Sequence, residues 1–336
     1  MKKIAINGYG RIGRCVTRAF YEREKTGDVK IAAINDAAPN DSMVHLTKYD
    51  TTHGRFHADV TFADNKSVMM INGDAICLSH IKDPAQLPWR EQEIDLVLEC
   101  SGQFTARDKA QAHLDCGAKR VLIGAPAGHD VDCTVVYGIN HRELKKEHRI
   151  ISNASCTTNC LAPVVKALCD TVGIEQGLMT TIHAVTNNQS LLDTHFTDLR
   201  RARAATQSMI PTGTGATKAL GVVVPEVAGK ITGYSMRVPT LNVSCVDLTF
   251  NTKRPTTVAE INAIMKDASI NRFDGVLAFN EKALVSTDFN HHSASAIFDA
   301  TQTIVMGNLV KVLAWYDNEW GYANRLLDLA QVIAEL

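Results

Sequence analysis

Gly8-Tyr9-Gly10-Arg11-Ile12-Gly13, close to the amino terminus, constrains the fold more than any other stretch of this chain. The spacing is G-x-G-x-x-G. A short apolar run, residues 3–7, precedes it and predicts a strand. Residues 14–23 follow with Val16, Ala19 and Phe20 on one helical face, and residues 30–34 predict a second buried strand that ends at Asn35-Asp36. In that setting each glycine has a separate physical task. Gly8 permits the tight turn, Gly10 lets the backbone approach a pyrophosphate, and Gly13 lets the helix lie close on the sheet. The unpaired N–H groups of the helix start then face the phosphates. Asp36 stands 23 residues beyond Gly13, near the spacing of a ribose-binding acid. A carboxylate there accepts from ribose hydroxyls and repels a 2′-phosphate, which favours NAD over NADP. The rival reading is a plain tight βα turn.

The alternation continues. Residues 94–100 and 119–123 predict further buried strands, and residues 107–116 a helix that stops at Gly117. Strands alternating with helices imply a parallel sheet with right-handed crossovers. After about residue 150 the texture changes. Longer strands are expected at 178–183, 233–238, 241–250 and 309–316, helices at 157–172 and 257–269, and a final helix at 321–336. This is an α+β pattern, and 336 residues suit about two domains. The fold class expected is α/β: a Rossmann-type doubly wound nucleotide-binding domain, 1–150, and an α+β catalytic domain, 151–316, with a large mixed or antiparallel sheet.

Composition excludes several alternatives. Thirty-five Lys and Arg against 36 Asp and Glu leave a formal charge of −1, without the bulk electrostatics of a nucleic-acid binder. No apolar run approaches the roughly 20 residues that span a bilayer. Asn7, Gly8, Arg11 and Arg14 interrupt the apolar stretch that a signal peptide would need after Lys2 and Lys3. Nine cysteines, an odd number thinly spread, do not suggest a secreted disulfide framework. Free thiols in a reducing cytoplasm, with no membrane or nucleic-acid partner, are expected.

A second constellation carries chemistry. Residues 152–160, Ser-Asn-Ala-Ser-Cys-Thr-Thr-Asn-Cys, are polar and then turn helical, with Ser155 as N-cap. Cys156 then occupies the first helical turn, where the dipole and free N–H groups should lower its pKa. A thiolate there is a nucleophile, and the same N–H groups can stabilise an oxyanion. His183, 27 residues later at a strand end, is its expected partner. The rival reading of a cysteine is a small buried hydrophobe, and the seven cysteines other than Cys156 and Cys160 keep it. Cys156 and Cys160 share a helix face, but no further ligands stand at metal-binding spacing, so no metal is expected.

With these residues in view, the chain resembles phosphorylating glyceraldehyde-3-phosphate dehydrogenases. The resemblance is carried by residues 7–14 (NGYGRIGR), 48–56 (KYDTTHGRF), 154–160 (ASCTTNC), 180–183 (TTIH), 214–216 (TGA), 237–240 (RVPT) and 315–319 (WYDNE), in family order over essentially the whole chain. It implies that Cys156 attacks an aldehyde to form a thiohemiacetal, that His183 takes the proton, that hydride passes to NAD, and that inorganic phosphate attacks the resulting thioester. It also implies cofactor contacts from Gly8, Gly10, Arg11, Ile12, Gly13, Asp36 and Asn318, the last orienting the nicotinamide amide. Ser155, Thr157, Thr186, Arg201, Thr214, Gly215 and Arg237 would bind substrate and phosphate, with Arg200 a rival to Arg201. It further implies a homotetramer and a C-terminal helix, 317–336, packed back on the first domain.

Several positions depart from the family pattern. Asn188 stands where a carboxylate is common, Gly124 where a serine is common, and Ala37 and Ala38 are smaller than in many relatives. Residues 288–291 and 299–303 lean toward the sister enzyme, erythrose-4-phosphate dehydrogenase, which hydrolyses its thioester to 4-phosphoerythronate. Residues 211–218 lean toward the glyceraldehyde enzyme. A third possibility is a non-catalytic NAD-binding redox sensor, against which an intact Cys156 and His183 argue.

Overall fold

The computed structural model describes residues 1–23, 27–63, 66–128 and 130–336. They divide into two compact units. One comprises Met1–Tyr137, His141–Ser155 and Ala323–Leu336; the other comprises Gly138–Asn140 and Cys156–Tyr322.

The first unit is built on a sheet whose parallel core runs, in spatial order, Asp74–Ser79, Val29–Asn35, Lys2–Asn7, Leu96–Glu99, Arg120–Ile123 and Ile150–Ser152. Every neighbouring pair in that series is parallel. The order is that of a doubly wound dinucleotide fold, with the reversal between the first and fourth core strands. These strands are apolar because both faces are covered: Ile4, Ala5, Ile6, Val97, Leu98, Val121 and Leu122 are fully buried. Helices Arg11–Glu22 and Arg107–Asp115 belong to the crossovers. The Val60–Phe62 and Val68–Ile71 strands add an antiparallel edge beyond Asp74–Ser79. The last part of the C-terminal helix, Trp320–Glu335, belongs to this unit, where Arg23 donates to the Asn324 carbonyl at 2.6 Å and pairs with Asp328 at 2.9 Å.

The second unit carries a mixed sheet ordered Ile210–Thr212, Ile231–Val238, Ile174–Ala184, Ser244–Thr252, Leu309–Tyr316, Ala296–Asp299, Leu277–Asn280, with Ile304–Met306 paired on Leu309–Tyr316. Helix Cys156–Thr171 lies on one face and buries Cys160, Leu161, Val164, Val165 and Leu168. The long Ile174–Ala184 strand shows the period of two that a one-sided sheet dictates. Met179, Thr181 and His183 are buried, whereas Leu178 and Ile182 point to the other face and are 66% and 37% exposed. No helix among the described residues is long and apolar enough to cross a membrane, and no disulfide joins any of the cysteines.

Candidate active site

The glycine turn opens helix Arg11–Glu22 directly, so the helix starts earlier than the apolar spacing suggests. Gly8 has φ +91°, and a Cβ there would stand 2.4 Å from the Ser101 backbone. A Cβ on Gly13 would stand 2.3 Å from the Gly8 carbonyl oxygen. Both are packing glycines. Gly10 differs: no atom lies within 4 Å of where its Cβ would be, which leaves an open cradle at the helix start. The Tyr9 N–H donates to Asp36 Oδ2 at 2.5 Å and the Ala38 N–H to Oδ1 at 2.8 Å, so the carboxylate is held beside the turn. Beneath, a buried polar ladder ties the strand ends together. Asn35 Nδ2 donates to Asn7 Oδ1 at 2.8 Å, and Asn7 Nδ2 donates to Glu99 Oε2 at 2.6 Å. The Arg11 guanidinium forks onto Asp50. Burial alone would raise the Asp50 pKa, but Arg11 and the His53 and Thr52 N–H groups hold the carboxyl well below its usual range. The Arg11 side chain is thus engaged by Asp50, so what the turn offers an anion is backbone N–H at the helix start. Gly10, Asp36 and the helix start fit a dinucleotide.

In the second unit, strand register assembles the side chains. Ile174–Ala184 and Ile231–Val238 run parallel with His183 directly opposite Arg237. Ser244–Thr252 pairs antiparallel with Ile182 opposite Cys245, and Tyr316 lies opposite Ser244. Arg237, His183, Ser244 and Tyr316 thus form one row across four strands, on the face that helix Cys156–Thr171 covers. Residues opposite one another share a face.

The helix begins at Cys156, with Ser155 the residue before it. Two residues upstream, Ala154 is buried in the left-handed region at φ +53°, a conformation that costs a residue with a Cβ about 1 kcal/mol or more. The Cys156 Sγ lies 3.5 Å from His183 Nε2. His183 Nδ1 lies 2.7 Å from the Ala184 carbonyl and 2.6 Å from an Arg237 terminal nitrogen. The Ala184 carbonyl calls for a proton on Nδ1, which leaves Nε2 as an acceptor facing the thiol, whereas the Arg237 guanidinium, which only donates, calls for the other tautomer. Burial, reinforced by the Arg237 charge, pushes the His183 pKa down to about 3. The expected lowering of the Cys156 pKa is not met: burial pushes the thiol up, and Arg237 and Thr157 offset this in part. Both shifts favour the neutral forms, thiol and imidazole.

Around this pair, Thr157 Oγ1 and Thr181 Oγ1 lie 2.9 and 2.8 Å from the Tyr316 hydroxyl, whose ring stands edge-on to His183 at 5.9 Å. Arg201 donates to Thr212 Oγ1 at 2.6 and 3.2 Å and has Asp198 at 3.5 Å; Arg200 is exposed. Arg237 is repelled by Arg201 and has no carboxylate partner among the described residues. Thr214 Oγ1 accepts the Ala216 N–H at 3.2 Å at the start of helix Ala216–Val223, and a Cβ on Gly215 there would meet open space. Thr186 is tied to Gln189 Oε1 through its N–H and hydroxyl at 2.9 and 3.2 Å. Asn318 is buried with Oδ1 2.7 Å from Ser244 Oγ. The residue-type reasoning gave no role to Tyr316, Ser244 or Ala154. Tyr316 had a signal, since it ends a strand inside the 315–319 block. Ser244 had none, because its place depends on register.

A doubly wound nucleotide unit, joined in one chain to a unit holding a thiol–imidazole pair beside two guanidinium groups, defines an NAD-dependent dehydrogenase. The NAD binding domain model of glyceraldehyde 3-phosphate dehydrogenase matches residues 2–107, and the C-terminal domain model matches residues 155–318. Similar proteins include the chromosomal glyceraldehyde-3-phosphate dehydrogenase of Cupriavidus necator, 55% identical over 99% of this chain and 98% of its own length. The glyceraldehyde-3-phosphate dehydrogenases of Pseudomonas aeruginosa and Xanthobacter flavus are 54% and 53% identical, each over 99% of this chain and 98% and 99% of their own lengths. The chain belongs to the glyceraldehyde-3-phosphate dehydrogenase family. The erythrose-4-phosphate alternative is not favoured. The segments that leaned toward it serve local structure: Asp288 accepts the Val285 N–H at 2.8 Å, and Asp299 accepts from Trp315 Nε1 at 2.9 Å.

Proposed function

We propose that the chain oxidises glyceraldehyde 3-phosphate to 1,3-bisphosphoglycerate, with NAD as oxidant and inorganic phosphate as second substrate. The observation that carries this is the thiol of Cys156 beside His183 Nε2, with Arg237 opposite His183 in register. Cys156 Sγ attacks the aldehyde carbon, and its proton passes to Nε2. The oxyanion meets the N–H groups of the helix start and takes the proton back from Nε2 to complete the thiohemiacetal. NAD, held by the glycine turn, Asp36 and Asn318, would supply the hydride acceptor. His183 takes the hydroxyl proton as hydride leaves, and a thioester remains on Cys156. A phosphate oxygen then attacks that carbon, Sγ departs, and the acyl phosphate is released.

Arg201, Arg237, Thr186, Thr214 and Gly215, with Ser155 and Thr157 beside the nucleophile, would hold the substrate phosphate and the attacking phosphate. Two guanidinium groups that repel each other gain from an anion between them. Gly8, Gly10, Gly13 and the backbone of Arg11 and Ile12 would cradle the pyrophosphate, Asp36 the adenosine ribose, and Asn318 the nicotinamide amide. The protein would work in the cytoplasm as a homotetramer. The uncovered sheet face supports self-association, since Leu178 and Tyr234 are 66% and 47% exposed on it.

The test is NADH formation from each aldose phosphate, with and without inorganic phosphate. Fast, phosphate-dependent turnover of glyceraldehyde 3-phosphate is expected. Phosphate-independent turnover with a preference for erythrose 4-phosphate would overturn the reading.

A further inference from the structure

The His183 strand and the Asn318 turn are joined by a serine that the reaction scheme leaves unused. Ser244 is 1% exposed. Register seats it next to His183 on one side and opposite Tyr316 on the other, just before the turn that carries Asn318. Its Oγ accepts the Ala184 N–H at 3.0 Å and lies 2.7 Å from Asn318 Oδ1. A hydroxyl has one proton to donate. With the Ala184 N–H on a lone pair, that proton goes to Asn318 Oδ1. The carboxamide is thereby oriented, oxygen toward Ser244 and NH₂ away from it.

The backbone of the same turn is held separately. Asp317 Oδ1 accepts the Glu319 and Trp320 N–H groups at 3.0 and 2.7 Å. Its Oδ2 accepts Asn242 Nδ2 and the His291 N–H, both at 2.7 Å. Asp317 thus fixes the backbone around Asn318, while Ser244 fixes which end of the amide faces outward. Ala184 serves both halves of the site: its carbonyl faces His183 Nδ1 and its N–H holds Ser244.

We propose that Ser244 is a positioning residue for hydride transfer, orienting Asn318 as an N–H donor to the carbonyl of the nicotinamide carboxamide. The proposal rests on the reading of Asn318 as the nicotinamide contact. A ring whose amide is not held can turn about its glycosidic bond and offer its other face. A fixed donor selects one face.

The test compares NAD with ADP-ribose, which lacks the nicotinamide, by calorimetric titration of Ser244→Ala, Ser244→Thr and Asn318→Ala. Ser244→Ala should weaken NAD about five- to tenfold, the loss of one neutral hydrogen bond, and leave ADP-ribose unchanged. Transfer from a C1-deuterated aldehyde should then label both faces of NADH. Ser244→Thr, which keeps the hydroxyl, should restore NAD affinity and single-face labelling. Equal weakening of both ligands would mark a merely structural serine and overturn the proposal. Unchanged NAD affinity in Ser244→Ala, with a loss in Asn318→Ala, would overturn the Ser244 role while the Asn318 reading stands. No loss in Asn318→Ala would overturn both. Should Ser244→Ala not fold, Ser244→Cys carries the same comparison, because a thiol is a weak donor of similar bulk.

Discussion

The first unit offers its proposed ligand mainly backbone; the second offers side chains. In the first, three glycines, a helix start and one carboxylate occupy residues 8–36, and the open space at Gly10 is where the proposed pyrophosphate would sit. In the second, His183, Arg237, Ser244 and Tyr316 are brought together by pairing among distant strands, with Cys156 at a helix start, Arg201 in a loop and Asn318 in the turn after the last of those strands. A backbone site tolerates changes of side chain but no change of glycine conformation. A side-chain site tolerates neither a lost functional group nor a shifted register.

The sharpest break in that comparison is Cys156→Ser. Turnover should fall by roughly 10⁴-fold or more, about 5 kcal/mol in barrier, because the alkoxide-forming hydroxyl is the weaker nucleophile. ADP-ribose affinity, measured by calorimetry, should not change. Gly8→Ala attacks the other unit: with φ at +91° and backbone 2.4 Å from the new Cβ, it should cost more than about 2 kcal/mol in urea unfolding.

Acid should weaken the second unit through His183. An unfolded histidine takes up a proton below about pH 6.5. The buried one resists until about pH 3, so the unfolded state binds more protons in that window and stability falls as pH drops through it. Between pH 7 and pH 5 the protein should lose about 2 kcal/mol more than His183→Gln, read from urea midpoints. Gly10→Ala is the mildest change. It should leave the urea midpoint within about 0.5 kcal/mol and weaken NAD about tenfold, since its methyl enters only the open cradle. A Gly10→Ala protein that bound NAD normally would remove the cradle from the account.

The same contrast explains what was legible in the residues. The glycine turn, its strands and Asp36 lie within one short segment, so spacing alone pointed to a doubly wound sheet. The Asp74–Ser79 strand went unmarked. Its burial alternates but its residue types do not, since exposed Ala75 and Cys77 are as apolar as their buried neighbours, and its place beside Val29–Asn35 follows from a crossover that local pattern does not encode. Cys156 was legible as a helix-start thiol, but its depth was not, and burial reversed the expected direction of its pKa. Arg200 and Arg201 are the same chemistry in sequence; the contact with Thr212 separates them. Ser244 and Tyr316 gain their meaning from register, which depends on partners 60 or more residues away.

The parallel pairing of His183 with Arg237 makes residue count a quantity under constraint. One residue added within either strand would turn the side chains beyond it to the opposite face, imidazole or guanidinium included, while leaving composition and hydrophobicity almost untouched. Insertions and deletions in this chain should therefore collect in the connections, and these two strands should keep their lengths even where their outward-facing residues change freely.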